Sequence, residues 1–186
     1  GSATEATKEA IDYLTAKGEK VGLISVHLYR PFSIKYLTAV MPKSVKRIAV
    51  LDRTKEPGCN GEPLYLDVVE AFSSCEELKA INPVIVGGRF GIGSCDTTPA
   101  VIMSVYENLA LSTPKNHFTV GIVDDVTFKS LPVNKDVMVL GDDVTELLFF
   151  GLGSDGTVGA CKNTSKIIGD NTDLYSQSYA AYDSKK

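Results

Sequence analysis

Apolar and polar residues alternate in blocks along the chain, and most blocks have the length of one strand or one helix. Nearly continuous apolar runs of strand length occupy residues 21–28, 47–51, 83–86 and 118–122. A strand that is apolar on both faces is typical of a parallel sheet covered by helices on either side. The four runs therefore predict four buried, parallel strands.

Helical patterns fill the segments next to these runs. Residues 6–16 carry apolar side chains at helical spacing, and Gly18 is placed to end that helix. Because strands and helices alternate, and the crossovers are too long for hairpins, the sequence predicts an α/β fold. We expect a mostly parallel open sheet with helices on both faces. Three further helices are predicted, over residues 33–41, 64–72 and 98–109.

A second unit is predicted near the C-terminus. Residues 124–143 read as a linker with one short strand at 137–140, and a strand–turn–helix–strand pattern then begins at Glu146. Its elements are a strand at 147–150, a helix ending at 168 and a strand at 175–183. We expect one domain over residues 1–145, with Gly1 and Ser2 left by cloning. Residues 146–186 would then be the truncated start of another domain, a partial Rossmann-like βαβ unit.

Composition narrows the classes of partner. The net charge is -4, which gives nucleic acid no electrostatic attraction to the chain, and no apolar run approaches the ~20 residues that span a bilayer. The four cysteines form no C-x-x-C pair, and no secretory signal precedes them. We therefore expect free thiols in the cytoplasm, no metal site, no nucleic-acid partner and no membrane partner.

The strongest ligand-binding pattern is the turn Gly151-x-Gly153-x-x-Gly156, which follows an apolar run and opens a helix. In this context the first glycine permits a tight turn, the second lets the backbone approach a phosphate, and the third lets helix and strand pack closely. Free N–H groups at the helix start attract an anion. The alternative is that the glycines serve only the turn.

Charged residues cluster where predicted strands end. Asp52 and Glu56 follow the second strand and are candidates for an acid–base carboxylate pair, or for ion pairs with Arg53 or with a neighbouring domain. Arg89, in a glycine-rich loop, is a candidate for bidentate binding of a carboxylate, or for an ordinary ion pair in a packing loop. We interpret Asp52, Arg53, Glu56 and Arg89 as inter-domain residues.

The remaining candidate groups favour structural roles. His27 lies in a predicted buried strand, and we expect it to be a satisfied core residue; neither it nor His117 belongs to a nucleophile motif. The acidic pairs at 124–125 and 142–143 suit either Mg²⁺ or Ca²⁺ ligation or solvated turns, and their irregular spacing favours turns. No catalytic residue is expected in this chain.

Seven strings in order carry a resemblance that covers nearly the whole chain. They are VHLYRPF at 26–32, LDRTKEPG at 51–58, GEPLYLD at 61–67, GGRFGIGS at 87–94, FTVGIVDDVT at 118–127, FFGLGSDGTVGA at 149–160 and YDSKK at 182–186. Together they resemble pyruvate:ferredoxin (flavodoxin) oxidoreductases, including those fused to an NADPH reductase. Cys161 departs from the family pattern, in which an asparagine is expected.

The resemblance implies a place for each part of the chain. Residues 1–145 resemble the second domain of these enzymes, which is similar to the C-terminal domain of transketolase. Residues 146–186 resemble the start of the third domain, which is related to a γ subunit. The family oxidatively decarboxylates pyruvate to acetyl-coenzyme A. Electrons pass to ferredoxin or flavodoxin, or to NADP⁺ through a fused reductase.

The resemblance also implies cofactors and partners. The intact enzyme uses thiamine diphosphate, Mg²⁺ and [4Fe–4S] clusters, takes coenzyme A as substrate, and carries FAD and FMN when fused to a reductase. None of these cofactors is expected in the present chain. Its partners would be other domains of the parent chain, a homodimer mate and, for the parent, ferredoxin or flavodoxin. The expected compartment is the cytoplasm or a hydrogenosome-like organelle.

By itself the chain is expected to be inactive, a structural and inter-domain module that carries part of a coenzyme A-binding turn. Two alternatives remain: an independent module binding NAD(P) or FAD, and an interaction domain of another redox assembly, such as a sulfite reductase flavoprotein subunit. The residues expected at coenzyme A in the intact parent are Gly151, Gly153, Asp155, Gly156 and Lys185.

Overall fold

A computed structural model of the chain describes residues 1–134, 137, 139–141 and 143–181, apart from the side chain of Ser94. The chain forms two compact units, Gly1–Val139 and Leu140–Lys186. The domain boundary expected after residue 145 stays a prediction.

The first unit alternates helices and strands, as the apolar pattern predicts. All four helices predicted, at 6–16, 33–41, 64–72 and 98–109, are present. Two of them have side-chain caps. Ser33 accepts a hydrogen bond from the backbone N–H of Tyr36, and Thr98 accepts one from the backbone N–H of Val101. The helices are α1 (Thr4–Ala16), α2 (Ile34–Val40), α3 (Pro63–Ser74), α4 (Glu76–Lys79) and α5 (Pro99–Ala110). The strands are β1 (Arg47–Asp52), β2 (Val84–Arg89) and β3 (Phe118–Thr119).

The described strands form one parallel sheet in the order β1–β2–β3. In this register Asp52 lies opposite Arg89, and Arg89 lies opposite Thr119. These three residues, the last of their strands, therefore form one row at the carboxyl edge of the sheet. Open α/β sheets bind ligands at this edge.

Helices cover both faces of the sheet, which confirms the predicted architecture. On one face α1 and α5 pack over a core that contains Val86, Ile102 and Phe118. On the other face α2, α3 and α4 pack over a core that contains Val50 and Leu78. Burial of apolar side chains on both faces explains why the strands read as continuous apolar runs.

The predicted strand at 21–28 is wrong. The segment has no partner in the described sheet and lies largely in solvent, with Leu28 66% exposed. His27 is exposed as well, so the expected core position for this residue is wrong. A short apolar run shows that a segment is hydrophobic but not that a neighbouring strand is available, and here none is beside it.

The last strand of the sheet is shorter than predicted. Of the run 118–122, only Phe118 and Thr119 pair with β2, and Thr119 then bridges to Ser130. The chain turns away at Gly121, whose φ of +82° is readily available only to glycine. The short strand predicted at 137–140 includes residue 138, which lies outside the described residues.

The second unit contains one helix in its described part, α6 (Thr157–Asn171), as predicted after the glycine turn. The strands predicted at 147–150 and, as far as residue 181, at 175–183 are not formed. Leu148 and Phe150 are 91% and 84% exposed. A strand requires a neighbour for its backbone hydrogen bonds, and the described part of this unit has none.

Candidate functional site

At the carboxyl edge of the sheet, four titratable side chains form a group that we call the strand-end cluster: Asp52, Glu62, Arg89 and His117. Asp52 ends β1 and turns its carboxylate toward the start of α3. Its Oδ1 accepts a hydrogen bond from the N–H of Leu64 at 3.1 Å, and its Oδ2 accepts one from the N–H of Tyr65 at 3.1 Å. Burial raises the pKa of Asp52, and these two hydrogen bonds oppose that rise. Asp52, at the end of β1, therefore caps the N-terminus of α3, although it lies more than ten residues before that helix in the sequence.

Glu62 and Arg89 form a buried ion pair in the same cluster. Glu62, the residue before α3, is 1% exposed, and its Oε1 accepts a hydrogen bond from Nε of Arg89 at the end of β2. The second oxygen of Glu62, Oε2, is buried and has no hydrogen-bond partner among the described residues. Because a buried carboxylate is costly unless a cation faces it, Arg89 is fixed in place by Glu62.

His117 completes the cluster beside the unpartnered oxygen. Its Nδ1 lies 4.0 Å from Oε2 of Glu62, and its ring packs edge-on against Tyr65 at 5.2 Å between centroids. The backbone is left-handed, with φ +55°, and Oδ1 of Asn116 accepts hydrogen bonds from the N–H groups of His117 and Gly87. Desolvation, with Lys129 and Arg89 nearby, lowers the pKa of His117, although Glu62 opposes this shift.

The other two residues that the sequence assigned to this edge lie outside the cluster. Arg53 is exposed and donates to the backbone oxygen of Gly91 at 3.4 Å and to Oγ of Ser2 at 3.3 Å. Glu56 is exposed in the loop after β1. Because Asp52 commits both oxygens to α3, the geometry gives no support to an acid–base pair of Asp52 with Glu56.

A cavity of about 320 Å³ lies beside the cluster. Arg89 and His117 line it from the cluster, Thr119 from the end of β3, and Lys55 from the loop after β1. The rest of its wall comes mainly from residues 122–129, including Lys129. Sequence reasoning missed Glu62, His117 and this cavity. The sequence signal that pointed to this edge is that three predicted parallel strands place their last residues side by side.

The carboxylate of Asp124 organises one wall of the cavity. It accepts hydrogen bonds from the backbone N–H groups of Val126, Thr127 and Lys129, at 3.2, 2.9 and 3.4 Å, and from the hydroxyl of Thr127. These bonds lower the pKa of Asp124 to about 2. The residues at 124–125 thus form a turn, the interpretation that their spacing favoured.

The glycine-rich turn of the second unit has the backbone that its spacing predicts. Gly153 and Gly156 have φ of +90° and +84°, and Gly156 precedes the first residue of α6. A side chain at either position would be strained. At Gly151 an added Cβ would lie 2.5 Å from Oγ1 of Thr157, so all three positions require glycine.

The carboxylate of Asp155 holds this turn together by accepting hydrogen bonds from its backbone. Its Oδ2 accepts a hydrogen bond from the N–H of Leu152 at 2.7 Å, and its Oδ1 accepts one from the N–H of Thr157 at 3.0 Å. Hydrogen bonds, first from Thr157, lower the pKa of Asp155 to about 2. Lys185, the remaining residue expected at coenzyme A, lies outside the described residues.

The described part of the chain offers neither a cluster of metal ligands nor a membrane-spanning helix. No three His, Cys, Asp or Glu side chains there are grouped so that they could hold a metal ion. Cys59, Cys75, Cys95 and Cys161 are free thiols. No described helix is both long and apolar enough to cross a bilayer.

Comparison with known proteins identifies the family. Residues 1–94, just over half of the chain, match the family model described as pyruvate:ferredoxin oxidoreductase core domain II. The chain belongs to this pyruvate:ferredoxin oxidoreductase family. The match contains α1 to α4, β1 and β2, and therefore three members of the strand-end cluster, Asp52, Glu62 and Arg89.

Similarity to proteins named as pyruvate oxidoreductases extends over the whole chain. The sequence is 56% identical to the pyruvate-flavodoxin oxidoreductase of Enterobacter agglomerans over 187 aligned residues, and 54% identical to the pyruvate:ferredoxin oxidoreductase of Moorella thermoacetica over 186. It is 53% identical to the pyruvate-flavodoxin oxidoreductase of Klebsiella pneumoniae. Each alignment covers 100% of this chain but only 16% of the relative, so the chain corresponds to one segment of each of these longer proteins.

Proposed function

We propose that the chain is an inter-domain module of an enzyme that oxidatively decarboxylates pyruvate to acetyl-coenzyme A and passes the electrons to ferredoxin or flavodoxin. The observation that carries this proposal is the 50–56% identity over the full chain to proteins named for pyruvate and for these two electron carriers. The chain spans about 16% of their length. In this proposal the bond-making chemistry belongs to the rest of the parent.

The parent would use thiamine diphosphate with Mg²⁺ to cleave the bond between the carboxyl and carbonyl carbons of pyruvate, and [4Fe–4S] clusters to carry the electrons. No three potential metal ligands come together among the described residues, so these residues do not fit a [4Fe–4S] cluster. No step of the reaction is therefore assigned to them. We also propose that the parent acts in the cytoplasm, as a homodimer whose domains contact this chain.

The part that this chain contributes to substrate binding would be the turn at residues 151–156. We assign Gly151, Gly153, Asp155 and Gly156 to the nucleotide end of coenzyme A, with Lys185 as a partner for a phosphate. Support comes from the left-handed glycines, which bring backbone close to a ligand, and from the start of α6, whose dipole favours an anion. Asp155 would hold the turn in shape and offer its carboxylate to a hydroxyl group of the ligand.

Two substitutions in the full-length parent test this assignment. Gly153→Ala strains the turn at φ +90°, and Asp155→Ala releases the N–H groups of Leu152 and Thr157. We expect each substitution to raise the KM for coenzyme A by about tenfold, since each removes an organised ligand contact worth roughly 1.4 kcal/mol. The KM for pyruvate should stay unchanged. The readout is pyruvate-dependent reduction of ferredoxin or flavodoxin at varied coenzyme A.

Gly159→Ala is a matched control, because Gly159 lies inside α6 with open space around its Cβ position. An unchanged KM for coenzyme A in both turn variants would refute the assignment to coenzyme A. Pyruvate-independent reduction of the carrier, or no activity toward pyruvate in the wild-type parent, would refute the proposed reaction instead.

A further inference from the structure

The cavity beside the strand-end cluster belongs to the first unit and has no role in the function proposed above. All of its lining residues lie between Lys55 and Lys129, so the turn at residues 151–156 contributes nothing to it. It opens at the carboxyl edge of three parallel strands, where α/β sheets place their ligands. Its volume of about 320 Å³ is at the small end of the range for ligand pockets and suits a compact group.

Three cationic and two anionic side chains line the cavity wall. Lys55, Arg89 and Lys129 line it, against the carboxylates of Asp124 and Asp125. Asp124 has committed its oxygens to donors of its own turn. In the described part of the chain neither lysine has a carboxylate within ion-pair distance. The lining therefore has one more positive than negative charge, and both lysines are available to an anion.

Arg89 is the fixed member of this group. The buried carboxylate of Glu62 accepts from Nε, which leaves the two terminal nitrogens of the guanidinium without an acceptor among the described residues. A guanidinium has five N–H donors in a rigid fork, and the fork matches two oxygens of a carboxylate or phosphate. Glu62 therefore holds a preorganised oxyanion-binding group at the cavity wall.

From this geometry we infer that the cavity binds a compact oxyanion, a phosphate group, between Arg89, Lys55 and Lys129. A phosphate is favoured over a carboxylate because its oxygens can accept from all three cationic groups at once, whereas the guanidinium of Arg89 alone already matches the two oxygens of a carboxylate. His117, which lines the cavity and lies 4.0 Å from Glu62, offers a further N–H donor through its ring. The phosphate is either a free ion or part of a nucleotide, and binding assays separate the two.

The experiment is a titration of this chain at pH 7.5 and fixed ionic strength, followed by ¹H–¹⁵N NMR, with inorganic phosphate, AMP and acetate as probes. We expect saturable shifts of the amide signals of Arg89, Thr119 and Lys129 with phosphate, with a dissociation constant of about 1 mM. Tighter binding of AMP than of phosphate identifies an esterified phosphate as the ligand. Equal or weaker binding of AMP identifies the free ion.

Two double variants decide whether the cavity is the site. Lys55→Gln with Lys129→Gln should weaken phosphate binding by about five- to tenfold, the effect expected when two partly exposed cations are removed. Lys35→Gln with Lys43→Gln makes the same change in net charge at exposed lysines outside the cavity, and should leave binding within about twofold.

Three results would overturn the inference. The first is the absence of saturable shifts with phosphate up to about 50 mM, since a built site binds more tightly than this. The second is an equal weakening of phosphate binding in both double variants. The third is saturation by acetate at the same concentrations as phosphate. The dispersed NMR spectrum of each variant shows directly whether it is folded.

Discussion

Glu62 and Arg89 face each other across the end of the sheet, and the carboxylate is almost completely buried while the guanidinium reaches the cavity. Glu62 lies before α3 and Arg89 ends β2, so the pair joins a helix start to the central strand. An intact buried ion pair adds little to the stability of the fold compared with apolar residues of similar size. Removing one partner, however, leaves the other charge buried and unpaired. Removing one partner should therefore destabilise the fold more than removing the charge of both.

The first prediction concerns this asymmetry. Arg89→Met should lower the free energy of unfolding by about 3 kcal/mol, because Glu62 stays buried and unpaired. The double variant with Glu62→Gln should lose less than Arg89→Met alone. Urea unfolding followed by circular dichroism measures both. As a control, Arg53→Met removes an exposed arginine and should lower the free energy of unfolding by less than about 1 kcal/mol. A greater loss of stability in the double variant than in Arg89→Met would contradict the explanation.

The second prediction concerns the cap that Asp52 provides to α3. Asp52→Ala should lower the free energy of unfolding by about 2 kcal/mol, since two N–H groups lose a charged acceptor. Asp52→Asn should fall between this variant and the wild type, because an amide keeps one oxygen. The same urea unfolding applies. Asp125→Ala, at an exposed aspartate, should stay within about 0.5 kcal/mol, and equal losses at both positions would rule out the cap.

The third prediction is a pH dependence at Asp124. Its pKa in the folded chain is about 2, below the ordinary 3.8, so the ionised carboxylate favours folding. That stabilisation is complete above the ordinary pKa and is lost as the pH falls through about 2. Asp124→Asn should therefore be less stable than the wild type at pH 6, and the difference should shrink toward pH 2.

Thermal unfolding at several pH values measures this difference, with Asp125→Asn as the control. Asp125 makes no comparable set of hydrogen bonds in the described structure, so its variant should track the wild type. A constant stability difference for Asp124→Asn between pH 6 and pH 2 would show that its carboxylate charge does not hold the turn.

The fourth prediction concerns the close packing of β2 against β3. A Cβ at Gly88 would lie 2.2 Å from ring atoms of Phe118, which is fully buried. Gly88→Ala should therefore destabilise the chain by about 2–3 kcal/mol through overpacking. Gly22→Ala has open space and should change stability by less than about 0.5 kcal/mol. Chemical denaturation of both variants tests the difference; similar stabilities would mean that the ring moves aside at little cost.

The sequence predicted the parts of the fold that depend on local chemistry. Ser33 and Thr98 cap their helices as their residue types indicate, and the glycine turn at 151–156 has left-handed backbone at two of its glycines. The runs at 47–51 and 83–86 form paired strands. The run at 21–28 does not, because strand formation depends on a neighbour that periodicity along one segment does not reveal.

The candidate site was only partly predictable for a related reason. Asp52 and Arg89 stood out because they end strands, but Glu62 lies in a loop rich in glycine, proline and charged residues, where nothing distinguishes it. Its burial depends on the register that sets Arg89 beside Asp52. His117 gave no signal because its backbone conformation and its contact with Glu62 arise only after the sheet and α3 pack together.

The hydrogen bonds from Leu64 and Tyr65 to Asp52 span 12 and 13 residues and fasten the two ends of the connection between β1 and α3. A loop anchored in this way can change length without moving the elements it joins, since doubling its length costs only about 0.6 kcal/mol of closure entropy. Residues 57–60, which are exposed and lie outside the cavity, are therefore a natural insertion point, where a peptide tag or a spectroscopic reporter is accommodated while the helix and strand stay in register.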